Sequence, residues 1–188
     1  MTTRDSILDA AATIMRDRGI ARATTKQIAR ESGYSEALLY KHFADKQAIY
    51  LAVLKERVGS VLHSPEPGAG EVESNLVDLT VALMDFYVGS FPMSASIFSD
   101  RELLAAWRDG MTARGAGPRG PVRMIERYLD GEIVLGRVGP STDAAAIAAL
   151  LCGAAFQAAF LACFDGLQRV PDAEALVERL VRTVSPHP

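Results

Sequence analysis

Hydroxyl and basic side chains that could bind a phosphate backbone lie in one short stretch near the N-terminus. Thr25 and Lys46 each stand at a predicted helix start, where they suit contacts to phosphate oxygens. Tyr40, Lys41 and His42 could donate a hydrogen bond to a phosphate or to the edge of a base. These residue types, in this stretch, indicate recognition of DNA.

Four residues just ahead of Tyr40 could read the bases themselves: Ser35, Glu36, Ala37 and Leu38. Ala37 and Leu38 could touch thymine methyl groups, and Glu36 could accept a hydrogen bond from N4 of cytosine. Two structural alternatives stay open. Glu36 could act only on the electrostatics of its helix N-terminus, and Tyr40 could serve mostly in packing.

The spacing of caps and glycines places these side chains on a pair of short helices. Thr24 followed by Gln27 has the form of a capping box, which predicts a helix that starts there and ends at Gly33. Gly33 can adopt positive φ in a tight turn, and a second helix is predicted from Ser35 to Phe43. Such a helix-turn-helix would place its second helix in the major groove of DNA.

Two further helices are predicted to support this motif. Apolar residues at helical spacing predict a first helix that Gly19 ends. These residues are Ile7, Leu8, Ala11, Ile14 and Met15. Asp45 can cap a fourth helix. We interpret residues 1–45 as a DNA-binding domain and residues 46–188 as a ligand-binding and dimerisation domain, with 46–62 as the helix that links them.

Residues 4–55 resemble the N-terminal domain of the tetracycline-repressor (TetR) family of bacterial transcription regulators. The resemblance rests on Ile7, Leu8, Ala10, Ala11, Gly19, Thr24, Thr25, Ile28, Ala29, Gly33, Ser35, Leu39, Tyr40, His42, Phe43, Lys46 and Ile49. The chain has Ile14-Met15 where the family commonly has Phe. It has Glu36 where a basic or neutral residue is frequent, and Leu38 where a polar residue is frequent. These last two departures concern the DNA sequence that is read, not the fold.

The net charge of −3 conceals an asymmetry between two parts of the chain. Residues 1–55 hold nine Lys/Arg and six Asp/Glu, a net charge of +3. Residues 56–188 hold eleven Lys/Arg and seventeen Asp/Glu, a net charge of −6. The asymmetry predicts a basic module that faces phosphate and an acidic module with another role.

Apolar residues fall at helical spacing along the whole chain, which predicts an all-α fold of about nine helices. After the four N-terminal helices, further helices are predicted at about 71–90, 94–114, 121–136, 142–165 and 172–184. Ser99 and Glu102 form another possible capping box, so the helix over 94–114 can be broken there. Proline and glycine mark loops at 64–70 and 115–121.

Segment 144–164 is apolar on all sides, with ten alanines and only Gln157 strongly polar. One predicted face carries Ile147, Leu150, Leu151 and Leu161, and the other carries Cys152, Phe156, Phe160 and Phe164. A helix that is apolar on two faces must be covered on both. The last helix offers a second apolar stripe: Leu176, Val177, Leu180, Val181 and Val184. We therefore predict a homodimer through helices near 142–165 and 172–184, as the resemblance also implies. A membrane span is disfavoured, because no basic flanks or aromatic belts frame the segment.

Methionine and aromatic side chains are frequent in the middle helices. Such a set is most often plain core, but the resemblance implies a largely apolar effector pocket with few polar groups among these helices. The predicted ligand-binding residues are Met84, Tyr87, Phe98, Trp107, Met124, Tyr128, Phe156 and Phe160.

Other kinds of site are not predicted. His42, His63 and His187 are scattered, so no metal site is expected, and Cys152 and Cys163 are too far apart to pair within one helix. No P-loop, dinucleotide-binding glycine motif or nucleophile elbow is present, so neither a cofactor nor an enzymatic activity is expected. The N-terminus lacks an apolar run behind a basic start, which predicts a cytoplasmic protein without a signal peptide.

The sequence is interpreted as a homodimeric, ligand-responsive transcription regulator, most simply a repressor. It would bind a palindromic operator in double-stranded DNA and leave it when a small, largely apolar effector binds. The alternative is a helical small-molecule-binding or enzymatic protein in which the helix-turn-helix is only scaffold. An activator also stays open, as do the effector, the operator, the regulated genes and any redox role of the two cysteines.

Overall fold

The computed structural model describes residues 2–20, 23–53, 56–57, 62–113 and 117–184. These residues form nine α-helices, with no strand among them. The helices are α1 (Thr3–Arg18), α2 (Thr25–Ser32), α3 (Glu36–His42), α4 (Lys46–Val53), α5 (Val72–Phe98), α6 (Arg101–Thr112), α7 (Gly120–Val134), α8 (Ala144–Phe164) and α9 (Ala173–Val184). The predicted all-α fold of about nine helices is confirmed.

Side-chain caps begin the N-terminal helices where the sequence predicts them. The Thr24 hydroxyl accepts from the backbone N–H of Gln27, and the Gln27 side chain accepts from the backbone N–H of Thr24. At the start of α4, Oδ1 of Asp45 accepts from the backbone N–H of Ala48 over 2.7 Å. These bonds satisfy N–H groups that a helix start otherwise leaves without a partner.

Helix α5 runs without a break through residues 91–93, where the sequence predicted a boundary between two helices. That prediction was wrong, and the helix contains Pro92. Proline has no N–H, so the carbonyl of Val88, four residues earlier, loses its helical donor. The thiol of Cys163 donates to this carbonyl, with Sγ 3.7 Å from the oxygen. The thiol thus replaces part of the hydrogen bonding that the proline removes.

The predicted break near residue 99 is present, since α5 ends at Phe98 and α6 begins at Arg101. The cap, however, is Asp100 and not Ser99. Oδ1 of Asp100 accepts from the backbone N–H groups of Glu102 and Leu103, each over 3.0 Å. A carboxylate at the cap also favours the helix N-terminus electrostatically, which a serine hydroxyl does less well.

The predicted linking helix over 46–62 is described in part. Helix α4 is described from Lys46 to Val53, and residues 56–57 lie in a wider helical turn. Residues 54–55 and 58–61 lie outside the described residues.

The chain packs as two compact units, and the first comprises residues 1–61 and 89–115. In this unit α1 packs against α2, α3 and α4, and α4 packs against α6. Its fully buried side chains include Ile7, Leu8, Met15, Ile28, Leu39 and Ile49. A single apolar core therefore supports the helices that carry the predicted DNA-binding residues.

The second unit comprises residues 62–88 and 116–188. Helix α7 packs against α8, and α8 packs against α9. Its buried side chains include Leu83, Met84, Ile125, Leu129, Leu151 and Val177. These units are defined by packing and do not have the bounds of the predicted DNA-binding domain (1–45) and ligand-binding domain (46–188). The division of the chain by function therefore stays a prediction.

Two helices, α5 and α8, are long and apolar enough to cross a membrane, with mean hydropathies of 1.3 and 2.1 over their most apolar windows. Core helices of a helical bundle pass the same test. Both helices also bury side chains within this chain, such as Leu83 and Met84 of α5 and Leu151 and Cys152 of α8.

Candidate nucleic-acid interface

A tight turn joins α2 to α3. Gly33 ends α2 with φ 76° and ψ 16°, in the left-handed region that favours glycine. The backbone N–H of Tyr34 then donates to the carbonyl of Ala29 over 3.0 Å. Ser35 begins α3 by accepting from the backbone N–H of Leu38 over 3.3 Å. The predicted helix-turn-helix is present, with Gly33 in the conformation that the turn requires.

A small apolar core closes beneath the turn. Ile28 and Ala29 of α2 are buried against Leu39 of α3, and Phe43 is buried where α3 ends. Tyr34 packs against the same core. Because Leu39 faces inward, the residues on either side of it are directed toward the outside of α3.

The nine residues predicted to bind DNA divide into two groups by exposure. Six are exposed: Ser35, Glu36, Ala37, Tyr40, Lys41 and His42. Thr25, Leu38 and Lys46 are half-buried. The exposed group forms a polar face along α3 and its cap, and Tyr40 exposes 50% of its surface there.

Three of the predicted residues also contact one another, which the sequence did not reveal. The hydroxyl of Thr25 donates to Oε1 of Glu36 over 2.7 Å. The hydroxyl of Tyr40 donates to Oγ1 of Thr25 over 3.5 Å. Thr25 is eleven positions from Glu36 and fifteen positions from Tyr40, so helical periodicity gave no signal for these contacts.

Lys46 is supported by a residue that the sequence analysis did not single out. Nζ of Lys46 lies 5.1 Å from the centre of the Tyr50 ring, one helical turn away. Tyr50 is itself buried, and its hydroxyl donates to the carbonyl of Ala23. The spacing of four residues between a lysine and a tyrosine was the available signal.

Three ion pairs attach residues 56 and 57 to α1: Arg4 with Glu56, and Arg57 with both Asp5 and Asp9. Arg4 donates to both carboxylate oxygens of Glu56 over 2.7 Å, and Nε of Arg57 donates to Asp9 over 2.7 Å. Hydrogen bonds from Thr2, and then Arg57, lower the pKa of Asp5 to about 2. These bonds hold the segment after α4 against the first helix of the same unit.

The predicted ligand-binding residues do not all lie in one unit. Phe98 and Trp107 belong to the first unit. Phe98 is 67% exposed, and Trp107 is half-buried against the apolar core. Nε1 of Trp107 is buried, and no acceptor for it is present among the described residues. A buried indole N–H without a partner is rare in a folded protein.

The other six predicted residues lie in the second unit. Met84 and Tyr128 are buried, Tyr87 and Met124 are half-buried, and Phe156 and Phe160 are exposed. The rings of Tyr87 and Phe156 meet edge to face with centroids 5.4 Å apart. Burial raises the pKa of Tyr87 to about 12, so its hydroxyl stays protonated at neutral pH.

Tyr128 has a structural partner. Its hydroxyl accepts from Nδ2 of Asn75 over 2.8 Å, and the same amide donates to the carbonyl of Ala69 over 2.7 Å. Burial raises the pKa of Tyr128 to about 12. The hydroxyl therefore helps to fix the loop before α5.

Two surface clefts in the second unit are lined by other residues. One lies along α5 and α9 and includes Glu73, Asp78, Glu174 and Glu178. The other extends it past Asp85, Arg169 and Asp172. None of the predicted ligand-binding residues lines either cleft, and both clefts are predominantly acidic.

Helix α8 exposes most of its large apolar side chains and buries several of its small ones, although Ile147 and Leu151 are buried too. The exposed set is Leu150 at 60%, Phe156 at 50%, Phe160 at 43%, Leu161 at 50% and Phe164 at 81%. The buried set includes Ala148, Ala155, Ala159 and Ala162. Leu150 and Leu161 thus share the outer face with the phenylalanines, and Cys152 lies on the inner face. The predicted division of the two faces was wrong at these three positions.

The apolar stripe of α9 is used largely within the second unit. Val177 and Val181 are buried in its core, and Leu176, Leu180 and Val184 are partly buried against that core.

The described residues contain no group of three or more His, Cys, Asp or Glu side chains that could hold a metal ion. His187, one of the three histidines considered above, lies outside them.

Comparison with known proteins agrees with this geometry. Residues 7–53 match the model of the tetR family of bacterial regulatory proteins. The chain is 32% identical over 84 residues to the transcriptional activator FasR of Mycolicibacterium smegmatis, which covers 45% of this chain and 38% of FasR. It is 38% identical over 73 residues to the A-factor receptor protein of Streptomyces griseus. This match covers 39% of the present chain and 25% of the receptor protein. The N-terminal part of the chain, residues 7–53, is therefore similar to the tetR family of bacterial regulatory proteins.

The matched part of the chain covers less than half the length of either relative. Solved structures extend the likeness in fold to the rest of the chain. FadR of Bacillus halodurans, a regulator of fatty acid degradation, has a TM-score of 0.70 at 17% identity and covers 98% of this chain and 95% of its own. FadR of Bacillus subtilis, solved with stearoyl-CoA, has a TM-score of 0.67 at 15% identity and covers 96% and 97%.

Proposed function

We propose that this chain is a ligand-responsive transcription regulator that binds a palindromic operator as a homodimer and acts as a repressor. One observation carries the proposal: a short helix, α3, follows α2 through a tight turn and leaves a polar face exposed above a closed apolar core. The match of residues 7–53 to the tetR family supports it, because that family consists of bacterial regulatory proteins.

In the proposed complex, α3 enters the major groove of DNA, whose width of about 12 Å admits one α-helix. Ser35, Glu36, Ala37, Leu38 and Tyr40 would face base edges. Lys41, His42, Lys46 and the backbone N–H of Thr25 would contact phosphates. The net charge of +3 over residues 1–55 favours this arrangement.

The outer face of α8 supports the proposed homodimer. Five large apolar side chains stand on one side of a single helix, and each is at least 43% exposed. A contiguous apolar face of this kind marks a protein interaction site. A two-fold axis would bring the same face of a second copy against it and would direct two α3 helices at half-sites of one palindrome.

The proposed effector is small and largely apolar. Met84, Tyr87 and Met124 supply polarisable and aromatic surface in the second unit, which suits an apolar effector. The structural neighbour from Bacillus subtilis was solved with stearoyl-CoA, whose acyl chain has the same apolar character.

Release from DNA requires that the effector bind one conformation of the protein more tightly than another. A coupling free energy of about 2.7 kcal/mol lowers DNA affinity by about 100-fold. The segment that begins with α4 connects the DNA-binding helices to the rest of the chain, so we propose that it carries the change.

A selection from random double-stranded DNA with the purified full chain, at two salt concentrations, tests the proposal. The expected result is an enriched palindrome whose half-sites are about 34–36 Å apart or at a related spacing. Its affinity should fall steeply with salt, because phosphate contacts release counterions. The enriched duplex then serves as the probe for effectors that release the protein.

The same selection discriminates the scaffold alternative. A folded dimer that enriches no sequence and shows no salt-dependent DNA binding would favour a helical ligand-binding or enzymatic protein. Reporter expression that rises when the regulator is deleted supports a repressor, and expression that falls supports an activator. Because a regulator acts on DNA inside the cell, we propose a cytoplasmic location.

A further inference from the structure

The contact between Thr25 and Glu36 joins the first turn of α2 to the first residue of α3. The Thr25 hydroxyl donates to Oε1 of Glu36 over 2.7 Å, and Tyr40 reaches Oγ1 of Thr25 over 3.5 Å. Glu36 and Tyr40 lie one turn apart on α3, so they share a helix face. One threonine therefore contacts two side chains of the face that we propose enters the groove.

This contact changes what the Thr25 side chain can do. A hydroxyl carries one proton to donate, and a phosphate oxygen can only accept. While Thr25 donates to Glu36, its hydroxyl cannot also donate to a phosphate. Its backbone N–H, at the first position of α2, stays suited to the phosphate because a helix start leaves that group without an intrahelical partner. The Thr25 side chain is thus a partner of Glu36.

The second carboxylate oxygen of Glu36, Oε2, indicates which base this residue would contact. Glu36 is exposed, and among the described residues Oε2 accepts no hydrogen bond and the carboxylate makes no ion pair. A carboxylate only accepts hydrogen bonds. In the major groove, guanine presents the acceptors O6 and N7 and thymine presents the acceptor O4, all of which repel it. Adenine presents the N6 amino donor, but the N7 acceptor beside that group repels a carboxylate. Cytosine presents the N4 amino group and no acceptor of its own.

We propose that Glu36 is a specificity-determining residue that accepts a hydrogen bond from N4 of a cytosine in each half-site, and that Thr25 is its positioning residue. The proposal rests on the proposed function, since it requires α3 in the major groove. The 2.7 Å bond from Thr25 restricts the carboxylate before DNA arrives, so less side-chain freedom is lost on binding. Tyr40, at 3.5 Å, contributes less to the positioning.

The experiment uses the full chain and the operator found by selection. Affinities are measured for the selected duplex and for its three single-base variants at each half-site position, at one salt concentration. For the parent protein we expect cytosine to be preferred by about tenfold or more at one position. Glu36→Gln should lose that preference, or move it toward adenine, which an amide can contact at N6 and N7. Preferences at the other positions should not change.

Two substitutions of Thr25 test the positioning role. Thr25→Val keeps the branched shape and removes the hydroxyl, so the cytosine preference should fall several-fold while Thr25→Ser retains it. A purely structural role would instead lower affinity for all four bases alike. The matched control is Glu31→Gln, which removes an exposed carboxylate from α2. It should raise affinity for every sequence slightly and leave the base preference unchanged.

The outcomes separate this inference from the proposed function. If the parent protein enriches an operator but Glu36→Gln has the same base preferences, Glu36 does not read a base and the inference is overturned alone. If Thr25→Val keeps the full cytosine preference, Thr25 is not the positioning residue. If the parent protein enriches no sequence at all, the inference and the proposed function are both overturned.

Discussion

Helices α3 and α8 both present an exposed face, and the two faces have opposite chemistry. The face of α3 carries a carboxylate, a phenol, an amine and an imidazole on a helix of seven residues. The face of α8 carries leucines and phenylalanines on a helix of 21 residues. Burying a polar face lowers the free energy only where the partner supplies matching hydrogen-bonding groups. Burying an apolar face is favourable against any surface that excludes water.

From this difference we propose distinct tasks for the two helices. The polar face of α3 suits discrimination between partners, because each mismatched hydrogen bond is costly. The face of α8 suits stable association between copies. Helix α8 also reverses the usual arrangement by turning Ala148, Ala155 and Ala159 inward and Phe160 and Phe164 outward. Helices α7 and α8 pack against each other, and the outer face of α8 is the surface that we propose a second copy covers.

Leu161→Glu should have the largest effect of the substitutions considered, because it changes the outer face of α8 and leaves the polar face of α3 as it is. Leu161 is 50% exposed on the outer face of α8, and the substitution would place a carboxylate in the proposed dimer contact. Burying an unpaired charge costs several kcal/mol, so we expect the dimer Kd to rise by about 100-fold or more. Sedimentation velocity over a range of concentrations measures the change.

Phe98→Glu is the matched control, since Phe98 is 67% exposed but lies on α5 in the first unit. It should leave the dimer intact. If Leu161→Glu has no more effect on assembly than Phe98→Glu, the outer face of α8 is not the dimer contact and the comparison with α3 fails.

Gly33→Ala should destabilise the turn that presents α3. The backbone of Gly33 has φ 76°, where a residue with a Cβ loses about 1–2 kcal/mol. We expect the free energy of unfolding of the first unit to fall by that amount in a denaturant titration. Gly89→Ala is the control, because an added Cβ at either glycine meets no atom within 4 Å and Gly89 has an ordinary helical backbone. Equal effects at the two positions would contradict a left-handed turn.

Lys46→Ala should weaken DNA binding without altering base preference. Removing one phosphate contact should lower affinity a few-fold for every sequence and reduce the slope of log K against log salt concentration by about 0.9. Arg123→Ala removes an exposed cation from α7 in the second unit and should leave the slope unchanged. An unchanged slope for Lys46→Ala as well would remove this lysine from the interface.

Asp5→Asn should give the smallest effect, a loss of stability that is present above pH 4 and disappears as the pH falls toward 2. The pKa of Asp5 is lowered to about 2 in the folded chain, first by hydrogen bonds from Thr2 and then by Arg57. Its contribution is therefore present above pH 4 and is lost as the pH falls toward 2. Asp5→Asn and Thr2→Ala should both flatten the loss of stability in this range, as followed by thermal melts at stepped pH. A pH profile identical to that of the parent would show that the contact contributes nothing.

The N-terminal motif could be predicted from the sequence because its determinants are local. The capping box at Thr24 and Gln27, the cap at Asp45 and the turn at Gly33 each depend on residues at most five positions apart. The length of α5 could not be predicted in this way. A proline within an apolar stretch normally breaks a helix, and the thiol that donates to Val88 comes from Cys163, 75 positions later.

Which face of α8 is buried could not be predicted from sequence periodicity, for a different reason. When both faces are apolar, the pattern does not say which one turns inward. The inner face combines alanines with Ile147 and Leu151, so residue size gave no clear signal either. The contacts of Thr25 with Glu36 and of Arg4 with Glu56 were also missed, because they join separate helices and leave no periodic signal.

The bond from Cys163 to the carbonyl of Val88 has a practical consequence for chemical labelling. Thiol-directed reagents attack the thiolate. Burial raises the pKa of Cys163, and raises that of Cys152 to about 11, so both native thiols stay protonated at neutral pH. A cysteine introduced on an exposed helix face could therefore carry a fluorophore while both native cysteines remain in place. Removing Cys163 to obtain a cleaner background would instead take away the donor beside Pro92.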